Sequence, residues 1–382
     1  MRIKILFLLI AMSVLVSCSE EHVASLSEIN APQKSTGKLI QNEFADKFQI
    51  EKFDSYTLIS ISGKSEKKEQ YILYKEESAL ADLPSYGTKI KVPVENIVSL
   101  SCVYTRAFFE LDYMHAVKAV DQVRHHYLPE VWKAFEEGEI QEISTDNQMN
   151  IERLMELSPD AIFSYHSDNG NDIYSKLSKA GIPVVFCTAF LEDHPLGKAE
   201  WIKLFAQFVG KEKEAEALFS KISQDYLNLK DRLKIPNVKQ KTVFCNAPYS
   251  DKWYLPKADS FTARFFKDAG LNYIWKDAKG IGNQPLSIEV ILDRALDADI
   301  WLNAGAYLSY DELLKIDSRL GNFKAFKENN VFNTLKKTRS NFGNDYWEMG
   351  SLHPDLILKD LVSIAYPELL PDHETVFYQS LK

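Results

Sequence analysis

The length, composition and charge of the chain exclude some classes of protein at once. It has 382 residues, of which 45% are hydrophobic and 26% are charged, as in an ordinary globular protein. The 45 Lys and Arg residues against 54 Asp and Glu residues give a net charge of −9 at pH 7, so a nucleic-acid partner is not expected. The length is enough for about two ordinary domains.

Residues 1–18 predict a lipoprotein signal peptide. Arg2 and Lys4 form a basic start, and the apolar run ILFLLIAMSVLV is too short to span a bilayer. The residues LVSC that end it match a bacterial lipobox, in which Cys18 is acylated and becomes the new N-terminus. An ordinary signal peptide with a chance cysteine is the alternative. We therefore expect an exported bacterial lipoprotein at the periplasmic face of a membrane or at the cell surface, attached to the membrane through its lipid only.

Two short regions separate this signal from the rest of the chain. Residues 19–47 predict a tether, because they begin with a polar stretch that has no periodicity. Residues 48–93 contain the strand-like runs FQIEKF, YTLISIS and QYILYKE, with turn residues between them. These runs predict a small β appendage.

From residue 94 onward, strand-like and helix-like runs alternate. One series occupies 94–195 and a second occupies 237–382, which predicts βα units with mainly parallel sheets. A helical connection over 196–236 contains an amphipathic stretch, 211–234, that would span roughly 35 Å as a helix. The predicted fold class is α/β, with two Rossmann-like lobes joined by one long bridging helix.

Four segments carry a resemblance to a known family. They are NIVSLSCVYTRAFFELD at 96–112, NIERLMELSPDAIF at 150–163, KAGIPVV at 179–185 and LSIEVILDRALDADI at 286–300. In this order they resemble the helix-bridged periplasmic substrate-binding proteins of metal-chelate ABC importers, the group that serves iron–siderophore, haem and cobalamin uptake. The resemblance extends over about residues 94–370. Cys102 and Arg106 depart from it, since the family has a proline and an acidic residue at these positions.

The resemblance implies a binding protein and not an enzyme. The sequence has no G-x-S-x-G, H-E-x-x-H or C-x-x-C motif and no Walker A loop, so no common catalytic motif opposes this interpretation. His125 and His126 are adjacent and would point to opposite faces of an extended chain, and the sequence indicates no dedicated cage for a bare metal ion. We therefore predict no resident cofactor, and the metal chelate is the cargo.

The candidate ligand residues lie in loops at the ends of predicted strands. In two-lobed α/β proteins, ligands bind at the carboxyl ends of the strands. Aromatic rings would give a large planar chelate its contact area, and Arg, His or Asn would orient it. The predicted ligand residues are Tyr104, Arg106, His125, His126, Tyr127, Asp146, Tyr165, His166, Tyr249, Trp253, Asn283, Arg339, Tyr346 and Trp347. For each of them, ordinary surface or core packing is the alternative, and direct contact with the metal is left open.

The resemblance also implies a membrane partner. Glu152 and Glu289 lie early in corresponding helices of the two halves. In the resembled family, acidic residues at these positions dock on arginines of two identical permease subunits. The alternative is that both simply stabilise the positive ends of their helix dipoles. The expected function is to capture an iron chelate, either a siderophore or haem, and to deliver it to an ABC permease dimer.

Three other interpretations stay open. The cargo could be cobalamin, although cobalamin binders of this family have a Trp after the segment that matches EIST, where this chain has Asp146. The protein could be a surface lipoprotein that scavenges haem or corrinoid for an outer-membrane receptor, since Ser19-Glu20-Glu21 resembles a surface-export tag. An enzyme of the chelatase type on a related two-lobed scaffold is the third alternative.

Overall fold

The computed structural model describes residues 37–63, 68–145, 148–165, 172–233, 239–339 and 342–382. The predicted signal peptide with Cys18, and the predicted ligand residues Asp146 and His166, lie outside these ranges. Within the described ranges, no helix combines the length and the apolar character that crossing a bilayer requires.

The appendage is a five-stranded sheet with the strand order β1-β2-β3-β4-β5. Its strands are β1 Lys38–Ile40, β2 Phe48–Lys52, β3 Tyr56–Ser62, β4 Lys68–Tyr74 and β5 Thr88–Lys91. Neighbours pair antiparallel except β4 and β5, which are parallel. The three strand-like runs of the sequence are therefore confirmed as β2, β3 and β4. One face of the sheet, including Ile59 and Tyr71, joins the main hydrophobic core, whereas Leu58 and Ile72 form a separate small cluster on the other face.

Two buried glutamates fix the appendage to the rest of the protein. The carboxylate of Glu200 accepts hydrogen bonds from three successive backbone N–H groups in residues 43–45, each at 2.8 Å. Glu192 accepts from the next two N–H groups, those of Asp46 and Lys47, at 3.0 Å. Strand β1 and this segment therefore lie within the residues 19–47 that the sequence assigned to the tether. The sequence of residues 43–47 did not show that their backbone N–H groups are bound by side chains distant in the chain.

The N-terminal lobe is built on a five-stranded parallel sheet with the order β12-β11-β6-β7-β8. Its elements are β6 Ile97–Ser99, α1 Cys102–Glu110, β7 Val117–Val120, α2 Pro129–Glu136, β8 Gln141–Glu142, β9 Ser144–Thr145, β10 Gln148–Met149, α3 Ile151–Leu157, β11 Ala161–Tyr165, α4 Asp172–Lys179 and β12 Val184–Cys187. Strands β9 and β10 form a separate antiparallel pair. Because the main sheet is parallel, the loops that follow its strands gather at one edge.

Two helices connect the lobes. They are α5 Pro195–Val209, which is buried on nearly all sides, and α6 Glu212–Arg232. Helix α6 has 21 residues and is therefore roughly 32 Å long. Its predicted apolar stripe is confirmed, since Ala215, Phe219, Ile222 and Tyr226 are buried. The predicted long bridging helix is thus present.

The C-terminal lobe contains a parallel sheet with the order β16-β13-β18 and a small antiparallel sheet with the order β14-β15-β17. Its elements are β13 Thr242–Cys245, β14 Pro248–Tyr249, β15 Lys252–Pro256, α7 Phe261–Asp268, β16 Asn272–Tyr273, β17 Asn283–Leu286, α8 Ile288–Ala295, β18 Ile300–Leu302, α9 Tyr310–Ile316, α10 Lys324–Lys327, β19 Phe332–Asn333, α11 Asp345–Glu348, α12 Pro354–Ala365 and β20 Gln379–Ser380. The predicted α/β class with mainly parallel sheets is confirmed. The antiparallel sheet was not predicted.

Candidate functional site

The two lobes meet through the segment just before helix α12. We call Arg339 together with residues 342–350 the clasp. It belongs to the C-terminal lobe, and it contacts the loop 121–128 that follows β7 in the N-terminal lobe. That loop carries three of the predicted ligand residues, His125, His126 and Tyr127. The candidate site therefore includes groups from both lobes.

Glu348 makes the most buried of the described clasp contacts. Its side chain is 0% exposed, and its carboxylate accepts hydrogen bonds from the backbone N–H groups of Tyr127 at 2.6 Å and Leu128 at 3.2 Å. Burial raises the pKa of Glu348 to about 7, and the nearby carboxylate of Asp345 adds to the rise. The hydrogen bonds from the Tyr127 and Leu128 N–H groups, and the charge of Arg106, act in the opposite direction. Sequence reasoning did not identify Glu348, because one glutamate in a four-residue helix has no distinctive pattern.

Arg339 contacts the same loop through its guanidinium group. Its Nε donates to the carbonyl oxygen of Tyr127 at 2.9 Å, and its guanidinium carbon lies 5.2 Å from the centre of the Trp132 ring. Trp132 in turn donates its indole N–H to the carbonyl oxygen of His126 at 2.8 Å. A side chain at Gly343 would place its Cβ 2.3 Å from that same carbonyl oxygen, so the clasp can approach the loop only with glycine there. Arg339 was predicted as a ligand residue. At least one of its N–H donors is used instead in a hydrogen bond between the lobes.

Arg106 also connects the lobes. Its guanidinium pairs with Glu110 of its own helix at 2.6 Å and approaches Asp345 of the clasp at 3.7 Å. Lys337 lies 3.5 Å from the other oxygen of Asp345. Burial raises the pKa of Asp345 in spite of these two cations. The arginine that departs from the family pattern is therefore balanced by acidic groups from both lobes.

Several predicted ligand residues expose their side chains to solvent. Tyr165 lies at the carboxyl end of β11 and is 49% exposed, and Trp347 of the clasp is 59% exposed. Tyr249 is 76% exposed in the hairpin of β14 and β15. His125 and Asn283 are exposed as well. These side chains are available for contact with a ligand, and that role stays a prediction.

Two predicted ligand residues of the N-terminal lobe are buried instead. The hydroxyl of Tyr104 donates to the carbonyl oxygen of Cys187 at 3.3 Å. The ring of His126 lies between the carbonyl oxygen of Gln122, 3.2 Å from Nδ1, and the hydroxyl of Thr105, 3.1 Å from Nε2. Burial lowers the pKa of His126 to about 4. In this conformation both side chains pack within the lobe, so their expected exposure to a ligand is not observed.

The same correction applies to two aromatic residues of the C-terminal lobe. Trp253 is fully buried in β15 and donates its indole N–H to the carbonyl oxygen of Cys245 at 2.9 Å. Tyr346 packs its ring against Phe377 and Tyr378, with ring centres 6.0 and 5.8 Å away. Strand pairing in the unpredicted antiparallel sheet turns Trp253 inward. The sequence showed an aromatic residue near a strand end but not the face on which it lies.

The two predicted docking glutamates lie on the surface. Glu152 is exposed in the first turn of α3, and Glu289 is exposed in the first turn of α8. Glu289 pairs with Arg319 at 3.1 Å, and Asp317 holds the same guanidinium at 2.7 Å. Each lobe thus presents one acidic side chain at the start of a corresponding helix.

Comparison with known proteins identifies the family. The model of the periplasmic binding protein family matches residues 82–338, which include strands of both parallel sheets. The chain belongs to this family. The resemblance to the helix-bridged substrate-binding proteins of metal-chelate ABC importers is confirmed. The family and the similar solved structures are binding and transport proteins.

A curated relative and three solved structures show the range of similar proteins. An uncharacterised lipoprotein of Methanocaldococcus jannaschii is 31% identical over 256 residues, which cover 66% of this chain but only 59% of that relative's length. A possible iron-binding periplasmic solute-binding protein of Staphylococcus epidermidis shares the fold with a TM-score of 0.56 at 19% identity, over 72% of this chain and 99% of that one. The haem-binding protein HutB of Vibrio cholerae has a TM-score of 0.54 at 18% identity, over 69% and 98% of the two chains. The vitamin B12-binding protein BtuF of the same organism has 0.50 at 14% identity, over 74% and 99%.

Proposed function

We propose that this protein is a lipid-anchored, extracytoplasmic substrate-binding protein for an iron chelate, either a siderophore or haem. It holds the chelate between its lobes, delivers it to an ABC permease dimer and catalyses no reaction. Membership of the periplasmic binding protein family, with a match that includes strands of both parallel sheets, is the observation that carries this proposal.

The exposed aromatic residues support a chelate as the cargo. Trp347 and Tyr165 offer solvent-accessible rings in the C-terminal and N-terminal lobes respectively. Rings of this size suit a large planar or semi-planar ligand, because each buries a wide apolar area at a low cost in side-chain entropy. Cobalamin is the second candidate cargo, because a vitamin B12-binding protein has the same fold.

The anchor is supported by the sequence and by relatives. The lipobox ends at Cys18, and curated relatives carry the description lipoprotein. Cys18→Ala would then give a protein that lacks acyl mass at its N-terminus and is released from, or left unprocessed in, the membrane fraction. A wild-type N-terminus that begins elsewhere and carries no acyl group would contradict the anchor.

Titration with candidate cargoes tests the binding function. Haemin, ferrioxamine B and cyanocobalamin are added separately to the protein lacking residues 1–17, and binding is followed by tryptophan fluorescence and by the absorbance of each chelate. We expect saturable 1:1 binding of haemin or ferrioxamine B. Saturation by cyanocobalamin alone would assign the second candidate. Binding of zinc or manganese chloride, with no response to the three chelates, would overturn the proposal of a chelate cargo.

A further inference from the structure

Residues 126–128 obtain much of their backbone hydrogen bonding from side chains far away in the sequence. The N–H groups of Tyr127 and Leu128 donate to Glu348, and the carbonyl oxygen of Tyr127 accepts from Arg339. Leu128 directly precedes helix α2 and provides no side-chain cap for it. A carboxylate at this end of α2 also meets the positive end of the helix dipole.

We propose that Glu348 is a positioning residue for ligand binding: it fixes the conformation of the loop 121–128, and thereby the exposed His125, from the opposite lobe. This inference rests on the proposed function, because it assumes that the loop contacts the cargo. Glu348 itself is fully buried and would not touch the ligand. Its effect on affinity would pass through the backbone of Tyr127 and Leu128.

A carboxyl group is what this position requires. The two N–H groups donate to different oxygens of Glu348, and a carboxyl group, ionised or protonated, keeps acceptor capacity on both oxygens. Alanine would leave two N–H groups buried without partners, unless the loop moved to reach water. Glutamine keeps one acceptor oxygen but turns an NH2 group toward the second donor. The loop should therefore loosen in both variants, and more so with alanine.

The charges around Glu348 make its contribution depend on pH. Asp345 of the same helix and Arg106 and Cys102 of α1 interact with it electrostatically. With these neighbours and its burial, the pKa of Glu348 is raised from 4.5 to about 7. A carboxyl that binds its proton more tightly in the clasped state favours that state at low pH, and this contribution is lost as the pH rises through about 7. Opening of the loop should therefore become more frequent as the pH rises from 6 to 8.

Amide hydrogen exchange and ligand affinity, measured on the same proteins, test the proposal. The proteins are the wild type, Glu348→Gln, Glu348→Ala and the control Glu328→Gln, whose glutamate is exposed in the C-terminal lobe. We expect the protection factors of the Tyr127 and Leu128 amides to fall about tenfold or more in Glu348→Ala and less in Glu348→Gln. In the wild type they should fall between pH 6 and pH 8, and Glu348→Gln should lose this dependence. The control should behave as the wild type.

The affinity for the ligand distinguishes a role of Glu348 in positioning the loop for binding from a role in stabilising the loop alone. The variants are titrated with whichever of haemin, ferrioxamine B and cyanocobalamin binds the wild type, and we expect Glu348→Ala to bind it at least about tenfold more weakly. If exchange accelerates while affinity stays within twofold of the wild type in both variants, the positioning role is wrong. If none of the three chelates binds the wild type, the proposed cargo is wrong. The exchange data then still decide about Glu348, since unchanged protection of the two amides overturns its role.

Discussion

Tyr346 and Trp347 are sequence neighbours with opposite environments. Their rings meet edge to face with centres 4.8 Å apart, yet Tyr346 is buried against the C-terminal tail and Trp347 faces solvent. Adjacent residues of a helix point about 100° apart, so only one of the two can face the core. The structure therefore assigns packing to Tyr346 and leaves Trp347, together with the exposed Phe342, as an aromatic residue of the clasp that can meet a ligand.

This contrast predicts that the two alanine substitutions have different effects. Tyr346→Ala removes a fully packed ring and should cost about 3–5 kcal/mol of folding free energy, measured by urea denaturation. Trp347→Ala should change stability by about 0.5 kcal/mol or less, as expected for an exposed position. If Trp347 stacks on the chelate, the same substitution should cost about 2 kcal/mol or more of binding free energy, by analogy with aromatic hot spots of interfaces. Unchanged affinity in Trp347→Ala would remove this residue from the site.

Asp360 fixes the C-terminal tail that packs against Tyr346. Its buried carboxylate accepts from the N–H groups of Val376 and Phe377 at 2.7 Å and of Tyr378 at 3.2 Å, and it pairs with His373 at 2.8 Å. Tyr378 then packs on the Tyr346 ring. Asp360 thus holds the C-terminal tail in the place where it forms the floor under the clasp.

We expect Asp360→Ala to be among the more destabilising single substitutions of the C-terminal lobe. It leaves several buried N–H donors without an acceptor and should cost about 3–5 kcal/mol of folding free energy. Asp360→Asn keeps one acceptor oxygen and should cost about 1.5–3 kcal/mol. Urea denaturation gives both values, and Asp372→Ala, at an exposed position of the same region, is the control. A loss of less than 1 kcal/mol in Asp360→Ala would show that the tail does not depend on this carboxylate.

At the scale of elements, the appendage is attached by α5 and by the 3-10 turn before it. Glu192 and Glu200 together accept the five successive backbone N–H groups of residues 43–47. Trp201 donates its indole N–H to Glu192 at 3.0 Å, and Lys203 approaches Glu200 at 3.4 Å. These contacts fix the backbone of the connection between β1 and β2.

The double variant Glu192→Gln/Glu200→Gln should release this segment alone. Each amide side chain offers one acceptor oxygen where the carboxylate offered two, so we expect faster hydrogen exchange and faster proteolysis within residues 43–47. Amides of strand β13, in the other lobe, serve as the internal reference and should exchange at the wild-type rate. Equal acceleration in both places would mean that the glutamates support global stability and not the attachment of the appendage.

The elements that sequence predicted well are those with strong local patterns. Helix α6 has its apolar residues at helical spacing, and helix α12 begins at Pro354 and ends before Pro367, so both could be located without tertiary information. Strand β17 could not, because NQPL has no alternation and contains a proline, and its partner β15 lies some thirty residues earlier. The candidate site residues show the same difference between local patterns and distant contacts. Loops at strand ends were found, whereas Glu348 and the inward face of Trp253 depend on contacts with residues distant in the sequence.

At the scale of the whole molecule, the proposed docking to a twofold partner would use one glutamate on each lobe. Glu152 and Glu289 both lie in the first turn of helices that precede parallel strands. A dimer of identical subunits presents the same positive group twice. A chain with two similar lobes can pair one negative group of each lobe with each of these positive groups. Glu289 differs from Glu152 in one respect, because Arg319 already pairs with it and must share it with any incoming cation.

Charge reversal at both positions tests delivery separately from capture. Glu152→Lys/Glu289→Lys should abolish uptake of the chelate by cells, since two attractive contacts become repulsive, while affinity for the chelate stays at the wild-type value. Loss of favourable helix-dipole contacts should cost less than about 1 kcal/mol each, so the melting temperature should change little. The matched control is Glu130→Lys/Glu328→Lys, which makes the same change of charge at two other exposed positions. Arg319→Ala should strengthen docking, most clearly at low ionic strength, because exposed charges are screened over about 10 Å at 0.1 M salt. Uptake that survives the double reversal, or that is lost equally in the control, would show that these glutamates do not form the docking surface.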